Sequence, residues 1–124
     1  MENRLLPIGT VVRLRESTAS VMIMGYLPMG PARPGYVWDY SGVKFPMGFV
    51  RNEEVYCFDQ DQIEMIEALG YQDQEEFGFI RAMELSAEKI KADALAAEDA
   101  RLMQEEAEDD GDGGDDANGG KDER

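Results

Sequence analysis

The sequence predicts an α+β fold: a small antiparallel sheet of four to five strands, of a size that can curl into a barrel, followed by two C-terminal helices and a disordered acidic tail. Two observations carry this prediction. Apolar residues alternate with period two before about residue 58 and recur at helical spacing after it. Acidic residues crowd the last twenty positions, where nothing larger than alanine is available for a core. A chain of 124 residues holds one small domain, placed at 1–106, with the tail at 107–124.

The elements follow in order, with the sheet expected over about 8–58. Thr10-Val11-Val12-Arg13-Leu14-Arg15 puts Val12 and Leu14 on one face and Arg13 and Arg15 on the other, a half-buried strand. A polar turn leads to Val21-Met22-Ile23-Met24-Gly25-Tyr26-Leu27, apolar at both parities and therefore read as a central strand. Pro28 to Gly35 contains three prolines and two glycines and reads as a loop. Tyr36-Val37-Trp38-Asp39-Tyr40 is expected as a strand with its three aromatics on one face. Ser41 to Asn52 is expected to be broken by Gly42, Pro46 and Gly48, with Phe49-Val50 as a short edge strand, before a last strand at Val55-Tyr56-Cys57-Phe58.

Helix signals begin at Asp59, where an Asp cap with Gln62 three positions on precedes Ile63, Met65, Ile66 and Leu69 and a stop at Gly70. This predicts a helix over about 60–69. Asp73 and Glu76 repeat the device for a second helix over about 74–106, whose stripe runs Phe77, Ile80, Met83, Ala87, Ile90, Ala94 and Ala97. The stripe weakens to alanine, so the first half is expected to pack on the sheet and the rest to project.

Charge and composition narrow the function. The chain has 12 basic and 27 acidic residues, no histidine and one cysteine, for a net charge of −15. Residues 1–59 are neutral, 60–104 sum to −7 and 105–124 to −8. Such acidity disfavours a phosphate-binding surface, and no apolar run reaches the length of a membrane span. The lone Cys57 excludes an internal disulfide and fits a reducing, cytoplasmic setting. Without histidine the commonest general base and zinc ligand are missing. Gly30-Pro31-Ala32-Arg33-Pro34-Gly35 has the outer spacing of a phosphate loop, but Tyr36-Val37 stands where Lys-Ser/Thr is required. Calcium-loop spacing fails at Asp110-Gly111-Asp112 and at Asp59-Gln60-Asp61. Cys57, in a strand with no base to activate it, reads as an inert thiol. The expectation is a non-enzymatic module without cofactor or metal, whose partner is another protein and not a nucleic acid or a membrane. The candidate partner-binding residues are Tyr36, Trp38 and Tyr40, as aromatic anchors, with Arg13 and Arg15 on the wet face of the first strand. The competing reading covers the aromatic face with the long helix.

The blocks Leu6-Pro7-Ile8-Gly9-Thr10, Met22-Ile23-Met24-Gly25-Tyr26-Leu27-Pro28, Trp38-Asp39-Tyr40-Ser41-Gly42-Val43, Phe45-Pro46-Met47-Gly48, Tyr56-Cys57-Phe58-Asp59-Gln60-Asp61-Gln62-Ile63 and Gly70-Tyr71, in this order and spacing, carry a resemblance. Over about residues 5–85 the chain resembles an uncharacterised family of small bacterial domains encoded beside LXG-class toxins of Gram-positive type VII (ESX-like) secretion loci. The resemblance implies a cytoplasmic accessory, a chaperone or adaptor that binds a toxin, and it implies no catalytic residues. An immunity protein that neutralises the toxin, or a domain of unrelated housekeeping function, is the alternative. Tyr71-Gln72-Asp73-Gln74-Glu75 matches the Tyr-x-x-x-Asp/Glu pattern of exported type VII substrates, but Trp38 falls on a predicted strand and not in a helical hairpin. The chain is therefore read as an accessory and not as cargo.

Overall fold

Five antiparallel strands and one long helix make up the computed structural model, which describes residues 4–112, with side chains to 107. The strands are β1 (Val11–Leu14), β2 (Ser20–Tyr26), β3 (Tyr40–Phe45), β4 (Tyr56–Phe58) and β5 (Ile63–Ala68), followed by α1 (Gln74–Asp112). They form one open sheet in the order β4-β3-β2-β1-β5, so the sheet keeps two edges and is not a barrel. Short 3₁₀ turns at Asn52–Glu54 and Gln60–Gln62 flank β4.

The expected helix over 60–69 is the largest correction. Its residues form a 3₁₀ turn and then β5, which pairs with β1 from Val11↔Ala68 to Leu14↔Ile63 with two register shifts. The Asp59/Gln62 device is real, since the Gln62 side chain accepts a hydrogen bond from the Asp59 N–H at 2.8 Å, but it closes a single turn. A ten-residue helix is marginal on its own, whereas β5 satisfies the open edge of β1. Tertiary pairing overrides the helical propensity of Glu, Met and Ala. The domain therefore has one α-helix, not two.

A second correction concerns the third strand. It begins at Tyr40, where the expected aromatic strand was to end, and runs through the segment expected to be broken. Gly42 is not a breaker but a close approach: a Cβ there would lie 2.7 Å from the Met22 carbonyl oxygen and 2.7 Å from a Val21 methyl. Tyr36 to Asp39 form a loop whose one isolated β-bridge joins Val37 to Met29, with the Trp38 N–H donating to the Pro28 carbonyl at 2.9 Å. Phe49 and Val50 make no edge strand and are exposed.

Why these residues form one core is clear from the pairing. Val12 pairs with Val21, Ile23 with Gly42, and Tyr40 with Phe58, which sets one apolar sheet face. Tyr40 stacks obliquely on Phe58 with ring centroids 5.5 Å apart. Over this face lie Ile80 and Met83 of α1 and, from the N-terminal segment, Leu5 and Leu6. That segment is pinned by the core tyrosines. The Leu6 N–H donates to the Tyr40 hydroxyl at 2.9 Å, and the Tyr26 hydroxyl donates to the Leu6 carbonyl at 2.5 Å. The sequence contained no reading of this anchor.

The helix begins as expected, with the Glu76 N–H donating to the Asp73 carboxylate at 2.8 Å. Its packed side is rotated from the expected stripe. Ile80, Met83, Ala87 and Ala94 do turn inward, but Phe77, Ile90 and Ala97 are exposed, while Lys91 and Glu98 are partly buried. Contact with the domain persists to Glu98, beyond the first half. Gly35 sits there at φ +80°, and a Cβ on it would come within 2.5 Å of the Glu98 Cβ. From Asp99 to Ala107 the helix is exposed on every side. The helix continues to Asp112, past the expected end near 106, so the expected tail starts inside it; 113–124 lie outside the described residues.

Candidate functional site

Residues from three elements converge where the loop before β3, the turn after β4 and the middle of α1 meet. Asp39 and Asp59 form a reciprocal clamp at this point. The Asp59 carboxylate accepts from the Asp39 N–H at 2.9 Å, and the Asp39 carboxylate accepts from the Gln60 N–H at 2.8 Å. Lys91 of α1 closes the arrangement by donating to the other Asp39 oxygen at 2.6 Å. Gln60 turns its side-chain oxygen toward the Tyr40 hydroxyl, which donates to it. Both carboxylates are therefore occupied as acceptors for backbone amides and, for Asp39, for the helix lysine.

An aromatic cluster stands beside the clamp. Tyr36 and Trp38 meet edge to face with centroids 4.8 Å apart. The Arg33 guanidinium lies 3.8 Å from the Tyr36 ring centroid and 5.8 Å from that of Trp38. The Tyr36 hydroxyl donates to Asp59 at 2.5 Å, and this bond, more than burial, pushes the phenol up to about 12. Trp38 is half-buried; its indole Nε1 is buried without a hydrogen-bond partner and lies near Gly30 and Cys57. Burial alone pushes the Cys57 thiol up, away from the thiolate a nucleophile requires.

The expected candidates thus part company. Tyr36 and Trp38 remain together at the surface. Tyr40 is fully buried in the core, where desolvation raises its phenol pKa, and it cannot touch a partner in this arrangement. Arg13 is spent within the sheet: it pairs with Glu67 of β5 at 2.6 Å, and Glu67 also accepts from the Ser20 hydroxyl at 2.5 Å. These bonds hold the exposed Glu67 carboxyl below its ordinary value, the Ser20 bond most of all. The Arg15 Nε donates to the Asp61 carbonyl at 2.9 Å. Asp39, Asp59, Gln60 and Lys91 were not anticipated as a group. Asp39 and Asp59 bracket β3 and β4 in the sequence, but only the fold brings Lys91 to Asp39.

A groove of about 880 Å³ runs between α1 and the end of the sheet. Leu5, Ile80 and Ala87 give it an apolar floor, and Arg4, Asp39, Gln60, Phe77, Arg81, Glu84, Glu88 and Lys91 line it. Glu84 braces the rim by accepting from the Leu5 N–H at 2.7 Å. Among the described residues no group of three or more Cys, Asp or Glu side chains is placed to hold a metal ion, and no helix is long and apolar enough to cross a membrane.

A family model described as a domain of unknown function (DUF4176) matches residues 5–79, more than half of the chain. The chain belongs to this family. The match takes in the N-terminal anchor, all five strands and the first turn of α1, so Asp39, Asp59 and the aromatic cluster lie inside it and Lys91 lies outside. No curated protein and no solved structure matches the chain.

Proposed function

We propose that this DUF4176 domain is a non-enzymatic protein-binding accessory of a type VII secretion locus, acting in the cytoplasm as a chaperone or adaptor for an LXG-class toxin. The observation that carries the reading is the use made of polar and aromatic groups around the groove. The groove's acceptors at Asp39 and Glu84, and Asp59 beside it, are engaged by backbone amides and so hold the fold together. Beside the Asp39–Asp59 clamp, the aromatic cluster of Tyr36 and Trp38 under Arg33 consists of the residue types that dominate binding hot spots. The ordered blocks from Leu6 to Tyr71 supply the toxin-locus context by resemblance.

Co-expression with the toxin encoded beside it tests the proposal. An adaptor raises the amount of soluble or exported toxin and leaves its toxicity intact. Rescue of growth from the active toxin assigns an immunity role instead, and recovery of a folded chain with no bound toxin refutes both. Trp38→Ala and Tyr36→Ala are expected to weaken the complex at least tenfold while circular dichroism stays unchanged.

A further inference from the structure

The connection between β3 and β4 is apolar where a loop in water is ordinarily polar. Phe45, Met47, Phe49 and Val50 fall within six consecutive positions, and each is half exposed or more. A tight turn holds them together, the Gly48 N–H donating to the Lys44 carbonyl at 2.8 Å. Four such side chains present about 400 Å² of apolar surface, the size of the largest patch on a typical monomer and large enough to mark an interaction site.

The features of this patch fit one another. Beside the turn lies a hollow of about 460 Å³, with Met47, Val50, Val55 and Tyr56 as its apolar lining and Lys44 and Glu53 among its charged residues. Phe49 does not line it, although Gly48 and Val50 on either side do, so its exposed ring is a knob next to a hole. Arg51 pairs with Glu54 at 3.7 Å, whereas Lys44 and Glu53 form no ion pair among the described residues. A knob with a hole, and an unspent cation with an unspent anion, all on one surface, are what a two-fold contact between identical surfaces requires.

Charge permits that contact at this end of the sheet. The contacts of α1 with Tyr26 and Asp39 lie at the other end, where β2 stops and β3 starts. The patch begins at Phe45, about 17 Å along β3 from Tyr40. Residues 44–56 carry two basic and two acidic side chains and are neutral in sum, in a chain of −15. Copies that meet here keep their acidic helices apart, while the same net charge repels an anionic lipid surface.

We propose that the β3–β4 connection is the self-association surface of this chain: a two-fold contact in which Phe49 of each copy enters the hollow of the other and Lys44 of each faces Glu53 of the other. Two such patches remove about 800 Å² of apolar surface, and with their polar rim they approach the ~1,200 Å² lower bound of specific interfaces, which places the dimer among the weak, reversible ones. The contact lies inside the family match and leaves Tyr36 and Trp38, before the other end of β3, uncovered. It is independent of the accessory role proposed above.

Sedimentation of the full chain over a range of concentrations is the test. The mass is expected to double between low-micromolar and near-millimolar chain. Phe49→Ser should weaken the dimer at least tenfold with circular dichroism unchanged. Leu102→Ser, which removes a similarly exposed side chain from the projecting helix, should change it less than twofold. Lys44→Glu and Glu53→Lys should each weaken self-association at least threefold, because each sets like charges against one another twice. An equimolar mixture of those two variants should restore it, because opposite charges then meet at both contacts. A chain that stays monomeric throughout overturns the proposal, as does a dimer that F49S leaves intact or a mixture no tighter than its separate components. So does a monomeric chain that loses binding to co-expressed toxin, or to phosphatidylglycerol vesicles, on F49S; that result gives the patch to another protein or to a membrane.

Discussion

Phe58 and Phe79 are the same side chain in two kinds of surroundings. Phe58, in β4, is 1 % exposed and stacks on Tyr40 in a core built from four strands, the N-terminal segment and α1. Phe79, on α1, is 54 % exposed, with its ring centroid 6.1 Å from that of Tyr26 at the margin of that core. The sheet is held by large side chains that touch others on every side. The helix packs on the sheet through one fully buried residue, Ile80, with Met83 and Phe79 at the margin of the core, and beyond them it meets the rest of the domain through polar or small groups: Glu84 to Leu5, Lys91 to Asp39, and Glu98 against Gly35. Stability therefore resides mainly in the sheet, and the helix is mainly a surface.

The sharpest way to break that comparison is to truncate both phenylalanines. Phe58→Ala should cost about 3–5 kcal/mol, the range for an aromatic removed from a packed core, and Phe79→Ala under about 1 kcal/mol. Urea denaturation of the two variants measures the difference, and equal costs would mean that the helix is as integral as the sheet. Next in size is Gly35→Ala, which forces a Cβ into Glu98 at a positive φ. It should destabilise by about 1–2 kcal/mol and speed amide exchange around residues 91–98.

Legibility in the sequence followed the same division. β1, β2 and β4 were readable because alternation and β-branched residues report burial on one or both faces. β5 was not, because Ile63-Glu64-Met65-Ile66-Glu67-Ala68 favours helix locally and becomes a strand only through the edge of β1. The Asp cap before it was a true signal attached to the wrong element. Tyr36, Trp38 and Tyr40 were read as one aromatic face, but that face depended on a strand that Gly35 and the Asp39–Asp59 clamp replace with a loop, and Tyr40 is buried in the core. Lys91 was unreadable as part of the site, since it lies 52 residues from Asp39 in the chain.

Alkaline pH probes the tyrosines that pin the N-terminal segment and the clamp to the sheet. Tyr26 and Tyr36 are each pushed up to about 12 in the folded chain, Tyr26 chiefly by burial and Tyr36 chiefly by its bond to Asp59, and burial raises Tyr40 as well. In the unfolded chain these phenols ionise near 10. Their contribution is fully present below about pH 10 and is lost as pH rises through about 12, because the unfolded state releases its protons first. Urea midpoints should be flat from pH 7 to 9 and fall steeply above 10, and Tyr36→Phe should make that fall shallower. The smallest effect is expected from deleting everything after Glu98. The removed helix buries nothing among its described side chains, so the unfolding midpoint should shift by less than about 0.5 kcal/mol, within the range of changes at an exposed surface.

Native-state amide exchange on the full chain tests the division of labour most directly. The account predicts that amides of β2 and β3 exchange only through global unfolding, with the slowest at Val21, Ile23 and Tyr40, while those of residues 99–107 exchange orders of magnitude faster. Protection along 99–107 equal to that of the sheet, in the chain without a partner, would contradict it.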